Sequence, residues 1–171
     1  MGLRSAADLS YRWAMKIISL LPGATELLCA MGLQDNLVAV SHECDYPATV
    51  AALPRVTGSV IESGLSESQI DVAVSESLRN GEPLYSVNSE MMQTLQPDLI
   101  VISAGFDAHA DDPLAQLMVD EAGFADLTAR IVALARAHSS GRVVSVLEGG
   151  YDLPALSRSV TAHATALFEG V

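Results

Sequence analysis

Val143-Val144-Ser145-Val146-Leu147-Glu148-Gly149-Gly150-Tyr151 is a β-branched apolar run that breaks into two glycines and then presents a tyrosine. Upstream, Leu99-Ile100-Val101-Ile102-Ser103-Ala104-Gly105-Phe106-Asp107 repeats the plan with an aspartate in the tyrosine's place. A parallel sheet covered on both faces needs strands that read as continuous apolar runs, and its ligand crevice lies at their carboxyl ends. Between the runs, Leu127, Ile131, Leu134 and Ala135 recur at helical spacing within 124–137, the pattern of a right-handed β-α-β crossover. Asp107 stands four positions past Ser103, and Tyr151 four past Leu147. Both are therefore expected at one sheet edge, facing one cavity, with Gly149 and Gly150 letting the backbone approach a ligand closely.

The same alternation extends to both sides. Strands are expected at 17–21, 37–40, 98–103 and 142–147, and helices at 24–31, 67–80, 124–137 and 153–168. Ser66-Glu67-Ser68-Gln69 spells a capping box ahead of the second helix, and Pro22-Gly23 punctuates the exit from the first strand. Asn80-Gly81 and Glu82-Pro83 mark a turn. Strands alternating with helical stripes predict an α/β fold, a three-layer sandwich with a mainly parallel sheet. With 171 residues, 50% of them hydrophobic and 18% charged, the chain has material for one core.

The formal charge is −12, which disfavours nucleic acid because phosphate binding needs a positive face. Acidity suits a cationic substrate instead. No run approaches the roughly 18 apolar residues that span a membrane. Residues 1–15 carry Arg4, Asp8 and Arg12, and the apolar run at 17–21 is stopped by Pro22 and Glu26. They read as an extension lacking a signal-peptide core, and the expected location is cytoplasmic. Two cysteines are too few for a disulfide framework; Cys29 reads as a buried helix thiol and Cys44 as a loop thiol.

The segments 103–114 (Ser-Ala-Gly-Phe-Asp-Ala-His-Ala-Asp-Asp-Pro-Leu) and 147–153 (Leu-Glu-Gly-Gly-Tyr-Asp-Leu) resemble the C-terminal part of the histone deacetylase and acetylpolyamine amidohydrolase family, a likeness that covers residues 97–168. The resemblance implies a zinc-dependent amide hydrolase in which Asp107 is a metal ligand and Tyr151 the catalytic oxyanion donor, with Gly149 and Gly150 in the substrate loop. Zinc would polarise the amide carbonyl and activate water while the phenol stabilises the tetrahedral oxyanion. That family takes two more ligands from an Asp-x-His and its proton handling from adjacent histidines. The four histidines here, His42, His109, His138 and His163, include no adjacent pair. His109, Asp111 and Asp112 are expected as solvated loop residues.

The first half reads differently. Lys16-Ile17-Ile18-Ser19-Leu20-Leu21-Pro22-Gly23-Ala24-Thr25-Glu26 and Leu37-Val38-Ala39-Val40-Ser41-His42-Glu43-Cys44-Asp45-Tyr46-Pro47 resemble the first lobe of vitamin B12 and iron-chelate substrate-binding proteins of ABC transporters. That likeness makes Pro22, Ala24, Thr25, Glu26, His42, Glu43, Asp45 and Tyr46 cleft-lining candidates for a corrinoid or metal chelate. The two likenesses meet at 96–102. The expectation is a chimera of two partial domains sharing one sheet, with an extension at 1–15, a binding-protein-like lobe at 16–96 and a deacetylase-like part at 97–171. Three functions follow: an acetylated-amine hydrolase with an incomplete zinc site, not competent alone; a corrinoid-binding lobe; and an inert fusion.

Overall fold

The computed structural model describes residues 15–59, 61, 64–80, 85–115 and 117–170. Four parallel strands form the main sheet: β1 (Ile17–Ser19), β2 (Leu37–Val40), β5 (Leu99–Gly105) and β6 (Val143–Glu148), in the order β2-β1-β5-β6. A separate antiparallel pair joins β3 (Thr57–Ser59) to β4 (Tyr85–Val87). The helices are α1 (Pro22–Ala30), α2 (Glu67–Asn80), α3 (Ser89–Leu95), α4 (Glu121–Ser139) and α5 (Leu153–Glu169).

The expected α/β architecture with a mainly parallel sheet is the one observed. From the sheet's centre, β1 leads outward to β2 through α1, and β5 leads the other way to β6 through α4. Right-handed crossovers running in opposite directions place their helices on opposite faces, and the two cores show that division. On one face Ile17, Leu37 and Val101 pack with Leu21, Ala24 and Leu28 at α1. On the other, Ile18, Ile100 and Ile102 pack with Met92 of α3 and with Ile131 and Leu134 of α4. Neighbours such as Ile17 and Ile18 serve opposite cores because side chains alternate along a strand. A register shift between Ile17 and Ile18 puts Leu37 and Ala39 in different cores although they are two apart. Each fully buried aliphatic side chain contributes about 1.5–3 kcal/mol.

Several boundaries differ from the expectation. β1 ends at Ser19, two residues early, because Pro22 already opens α1 and Thr25 N–H bonds back to Leu21 carbonyl. β5 and β6 run on to Gly105 and Glu148, each pairing with the other to its end. α4 begins at Glu121, ahead of the apolar stripe, because the Asp120 carboxylate caps Gly123 N–H. The capping box at α2 forms in part: Gln69 Oε1 accepts from Ser66 N–H at 2.9 Å, while the Ser66 hydroxyl also donates to Gln69 Oε1. The cysteines exchange places, with Cys44 fully buried and Cys29 partly exposed; both are free. The extension at 1–15 and the Gly81 to Pro83 turn lie outside the described residues but for Met15. Among the described residues no helix is long and apolar enough to cross a membrane.

Candidate functional site

β5 and β6 pair in parallel from Ile100↔Val143 to Gly105↔Glu148, so the loops that follow them leave one edge side by side. The Asp107 carboxylate rests against the second loop. A Cβ added to Gly149 would lie 2.7 Å from Asp107 Cγ and Oδ1, and Gly149 has φ +66°. Only glycine combines that left-handed backbone with that close approach. Tyr151 follows at 60% exposure, its side chain open to solvent. Ser103 Oγ donates to Glu148 Oε2 at 2.8 Å, a second tie between the strand ends.

The loop after β5 closes on itself. His109 N–H donates to Phe106 carbonyl, Ala110 N–H to Val119 carbonyl and Val119 N–H to Ala108 carbonyl. Two residues expected as solvated are buried inside it. Asp112 is 6% exposed. Its Oδ1 accepts from Leu114 N–H at 3.0 Å, and its Oδ2 accepts from Tyr151 N–H at 2.7 Å and Asp152 N–H at 3.3 Å. Burial pushes this carboxyl up, but the donors at Tyr151, Leu114 and Asp152 hold it below its ordinary value. Asp152 in turn caps α5, accepting from Ala155 N–H at 2.8 Å.

His109 is 4% exposed and stacks with Phe124. Its Nδ1 accepts from Asp111 N–H at 2.9 Å, which leaves the ring proton on Nε2, facing Glu121 Oε1 at 3.4 Å without good hydrogen-bond geometry. Arg158 of α5 bonds Glu121 closely and reaches Asp111 at 2.9 Å. The Arg158 hydrogen bond is the main cause that holds the Glu121 carboxyl down to about 2. Asp111 is exposed, as expected, but ion-paired. Behind the loop, His163 of α5 bonds Thr128 of α4 through Nδ1 at 2.7 Å and Ser145 of β6 through Nε2 at 2.9 Å. Thr128 Oγ1 donates to Phe124 carbonyl, so Nδ1 carries the His163 proton and Nε2 accepts from Ser145. Phe106, Phe124 and His163 line a cavity of about 120 Å³ beneath the strand ends.

The sequence reading therefore located Asp107, Gly149, Gly150 and Tyr151 at one edge, and missed Asp112 and His109. One local signal for Asp112 was available: a carboxylate accepting from the N–H two residues on is an Asx turn, which Asp112-Pro113-Leu114 forms. The cleft-lining candidates of the first half divide. Glu26, Glu43, Asp45 and Tyr46 are exposed, and Pro22 and His42 are half-buried. Ala24 and Thr25 are core residues instead: Ala24 packs with Ile17 and Val101, and Thr25 Oγ1 bonds Ser19 Oγ at 2.8 Å and Cys44 Sγ at 3.2 Å. α1 turns its first two core-facing positions onto the sheet, so they line no opening.

Residues 41–167 match the histone deacetylase domain family. Type-2 histone deacetylase 2 of Dictyostelium discoideum is 31% identical over 163 residues, 86% of this chain and 9% of that protein. Histone deacetylase 10, chloroplastic, of Oryza sativa subsp. japonica is 52% identical over 68 residues, 40% of this chain and 15% of that protein. The solved structure of the histone deacetylase Clr3 shares the fold, with a TM-score of 0.50 at 19% identity over 94% of this chain and 28% of that one. The chain thus spans well under a third of each. The family match begins at residue 41, ahead of the expected junction at 96–102, and runs through it. The reading of 16–96 as a binding-protein lobe, and of the chain as a chimera, gains no support from these relatives.

Proposed function

The chain belongs to the histone deacetylase domain family, and from that premise we propose that it forms one wall of a hydrolytic site for acetylated amines, without being competent alone. The observation that supports this reading is the packing of the Asp107 carboxylate against Gly149, two residues before the exposed Tyr151. In that role the Tyr151 phenol donates to the oxyanion of a tetrahedral intermediate. The acidic chain attracts a cationic histone tail or acetylpolyamine, whose unacetylated amines keep their charge. Two free thiols suit a reducing compartment such as the cytoplasm.

Zinc is the metal that the family resemblance implies, and the donor set here does not fit it. A catalytic zinc takes three protein ligands and an open position. Asp107 offers one oxygen, but among the described residues no group of three or more His, Cys, Asp or Glu side chains converges on a metal-sized position. Nor does His109 help: its Nδ1 is taken by Asp111 N–H and its Nε2 faces Glu121. The side chains present therefore orient and donate, and the described residues do not supply the remaining ligands.

Hydrolysis of an acetyl-lysine peptide by the purified chain, with zinc added, tests the proposal. The expected rate is no higher than that of Asp107→Ala or Tyr151→Phe. Zinc-dependent turnover abolished by Asp107→Ala would overturn the claim of incompetence and would mean that the chain completes its own metal site.

A further inference from the structure

We propose that Asp112 is a positioning residue for Tyr151: its buried carboxylate clamps the backbone of the tyrosine loop to the loop that carries Asp107, so that the two loops move as one unit. The inference rests on the reading of Tyr151 as the oxyanion donor, and it concerns a residue that touches neither substrate nor metal.

The geometry carries it. Asp112 lies on the loop after β5, 39 residues before Tyr151. One oxygen accepts from both Tyr151 and Asp152, the other from Leu114. All three donors are backbone N–H groups, so the carboxylate fixes main chain and leaves the tyrosine ring free at the surface. Tyr151 follows Gly149 and Gly150, at φ +66° and +105°, a pair with wide intrinsic backbone freedom. Without an anchor immediately after them, that freedom would pass directly to Tyr151, held only from its far side by the start of α5. Asp152 then caps α5, so the anchored segment runs without a break from the glycines into a helix packed on α4 and β6 through His163. The Asp112 N–H bonds His109 carbonyl at 2.9 Å, which ties the clamp into the closed loop behind Asp107. A charged acceptor is the suitable chemistry: an ionised carboxylate is acceptor-only and can serve several donors at once, and such charge-assisted bonds are stronger than neutral ones. An asparagine offers a single acceptor oxygen and cannot satisfy both sides.

Amide hydrogen exchange and proton shifts of the full chain, followed by NMR at fixed pH, test the clamp without metal or substrate. In the parent chain the Tyr151 and Asp152 amides are expected to be protected and the Tyr151 amide proton shifted downfield. In Asp112→Ala both amides should exchange at least about tenfold faster, and the Tyr151 downfield shift should vanish. The amides of 164–167 in the body of α5 should keep their protection. If the alanine variant does not fold, near-isosteric Asp112→Asn serves, and it should expose either the 151–152 pair or the Leu114 amide, but not both. A Tyr151 amide that exchanges freely in the parent chain, or that is indifferent to both substitutions, would overturn the proposal. So would loss of protection spread evenly through α5, which would mark Asp112 as a general stabiliser. A chain that hydrolyses nothing leaves the clamp standing, whereas a catalytically active chain with an unclamped Tyr151 refutes it alone.

Discussion

Gly149→Ala probes the contact that joins the two loops. The backbone there is left-handed at φ +66°, and the new methyl would meet Asp107 Cγ and Oδ1 at 2.7 Å and Oδ2 at 3.0 Å. Forcing an alanine into that conformation costs about 1–2 kcal/mol. Turning the Asp107 side chain out of the way adds about 0.5–1.5 kcal/mol of rotamer strain. The stiffer unfolded chain offsets about 0.4–1 kcal/mol of this, leaving a destabilisation of about 0.5–3 kcal/mol. Gly141 provides the control, because its φ is +79° and its nearest added-methyl contact is Arg136 Cγ at an ordinary 4.0 Å. Gly141→Ala should therefore lose only the backbone part, about 1 kcal/mol after the unfolded-state offset. Equilibrium urea unfolding of the three proteins, compared at a common slope, reads the difference. If Gly149→Ala is no less stable than Gly141→Ala, the Asp107 carboxylate does not sit against that loop, and the shared wall of the site is wrong.

Two further outcomes are expected. Burial holds the His163 pKa below its ordinary value, so the folded state prefers the neutral ring; the stability this provides is present above about pH 6.5, the unfolded value, and is lost as pH falls from there toward the folded one. Urea midpoints at pH 7.5 and pH 5.5 should drop less in His163→Asn than in the parent, and an equal drop would mean that His163 does not contribute. Ile100→Ala, at a position 1% exposed between β1 and β6, should cost about 2–5 kcal/mol, whereas Phe168→Ala, at 86% exposure, should stay within about 0.5 kcal/mol; similar losses at the two would show that the second core is not packed as described.

The central strands of the main sheet were readable because they are covered on both faces. Ile17-Ile18 and Leu99 to Ile102 need apolar side chains on both faces, which leaves an unbroken run that local inspection finds, whereas β6 at the sheet edge keeps an apolar-rich run although Val144 and Leu147 are exposed. The β3–β4 pair offered no such run. Thr57-Gly58-Ser59 and Tyr85-Ser86-Val87 are three residues each, and only their meeting across a long sequence gap makes them strands. α3 escaped for a related reason: seven residues are too few to establish a stripe, although Asn88, which accepts from Met91 N–H at 2.9 Å, is a readable N-cap.

The same distinction separates the placements in the candidate site that were legible from those that were not. Asp107 and Tyr151 could be placed at one sheet edge because each follows its own strand at a fixed reach, a property of one segment at a time. Asp112 and His109 sit in a polar loop, Ala108-His109-Ala110-Asp111-Asp112, whose composition signals solvent. Their burial depends on donors and covers supplied from elsewhere: Tyr151 and Asp152 for one, Phe124 and Glu121 for the other. A buried carboxylate without such donors would be strongly unfavourable, so Asp112 can occupy the interior only where the β6 loop presents its N–H groups. The loop needs the carboxylate equally, since Tyr151 and Asp152 precede the first turn of α5 and their N–H groups have no helical partners there. Each segment thus completes the other's hydrogen bonding, and the side-by-side course of the loops that carry Asp107 and Tyr151 follows from that mutual dependence as much as from the register of β5 with β6.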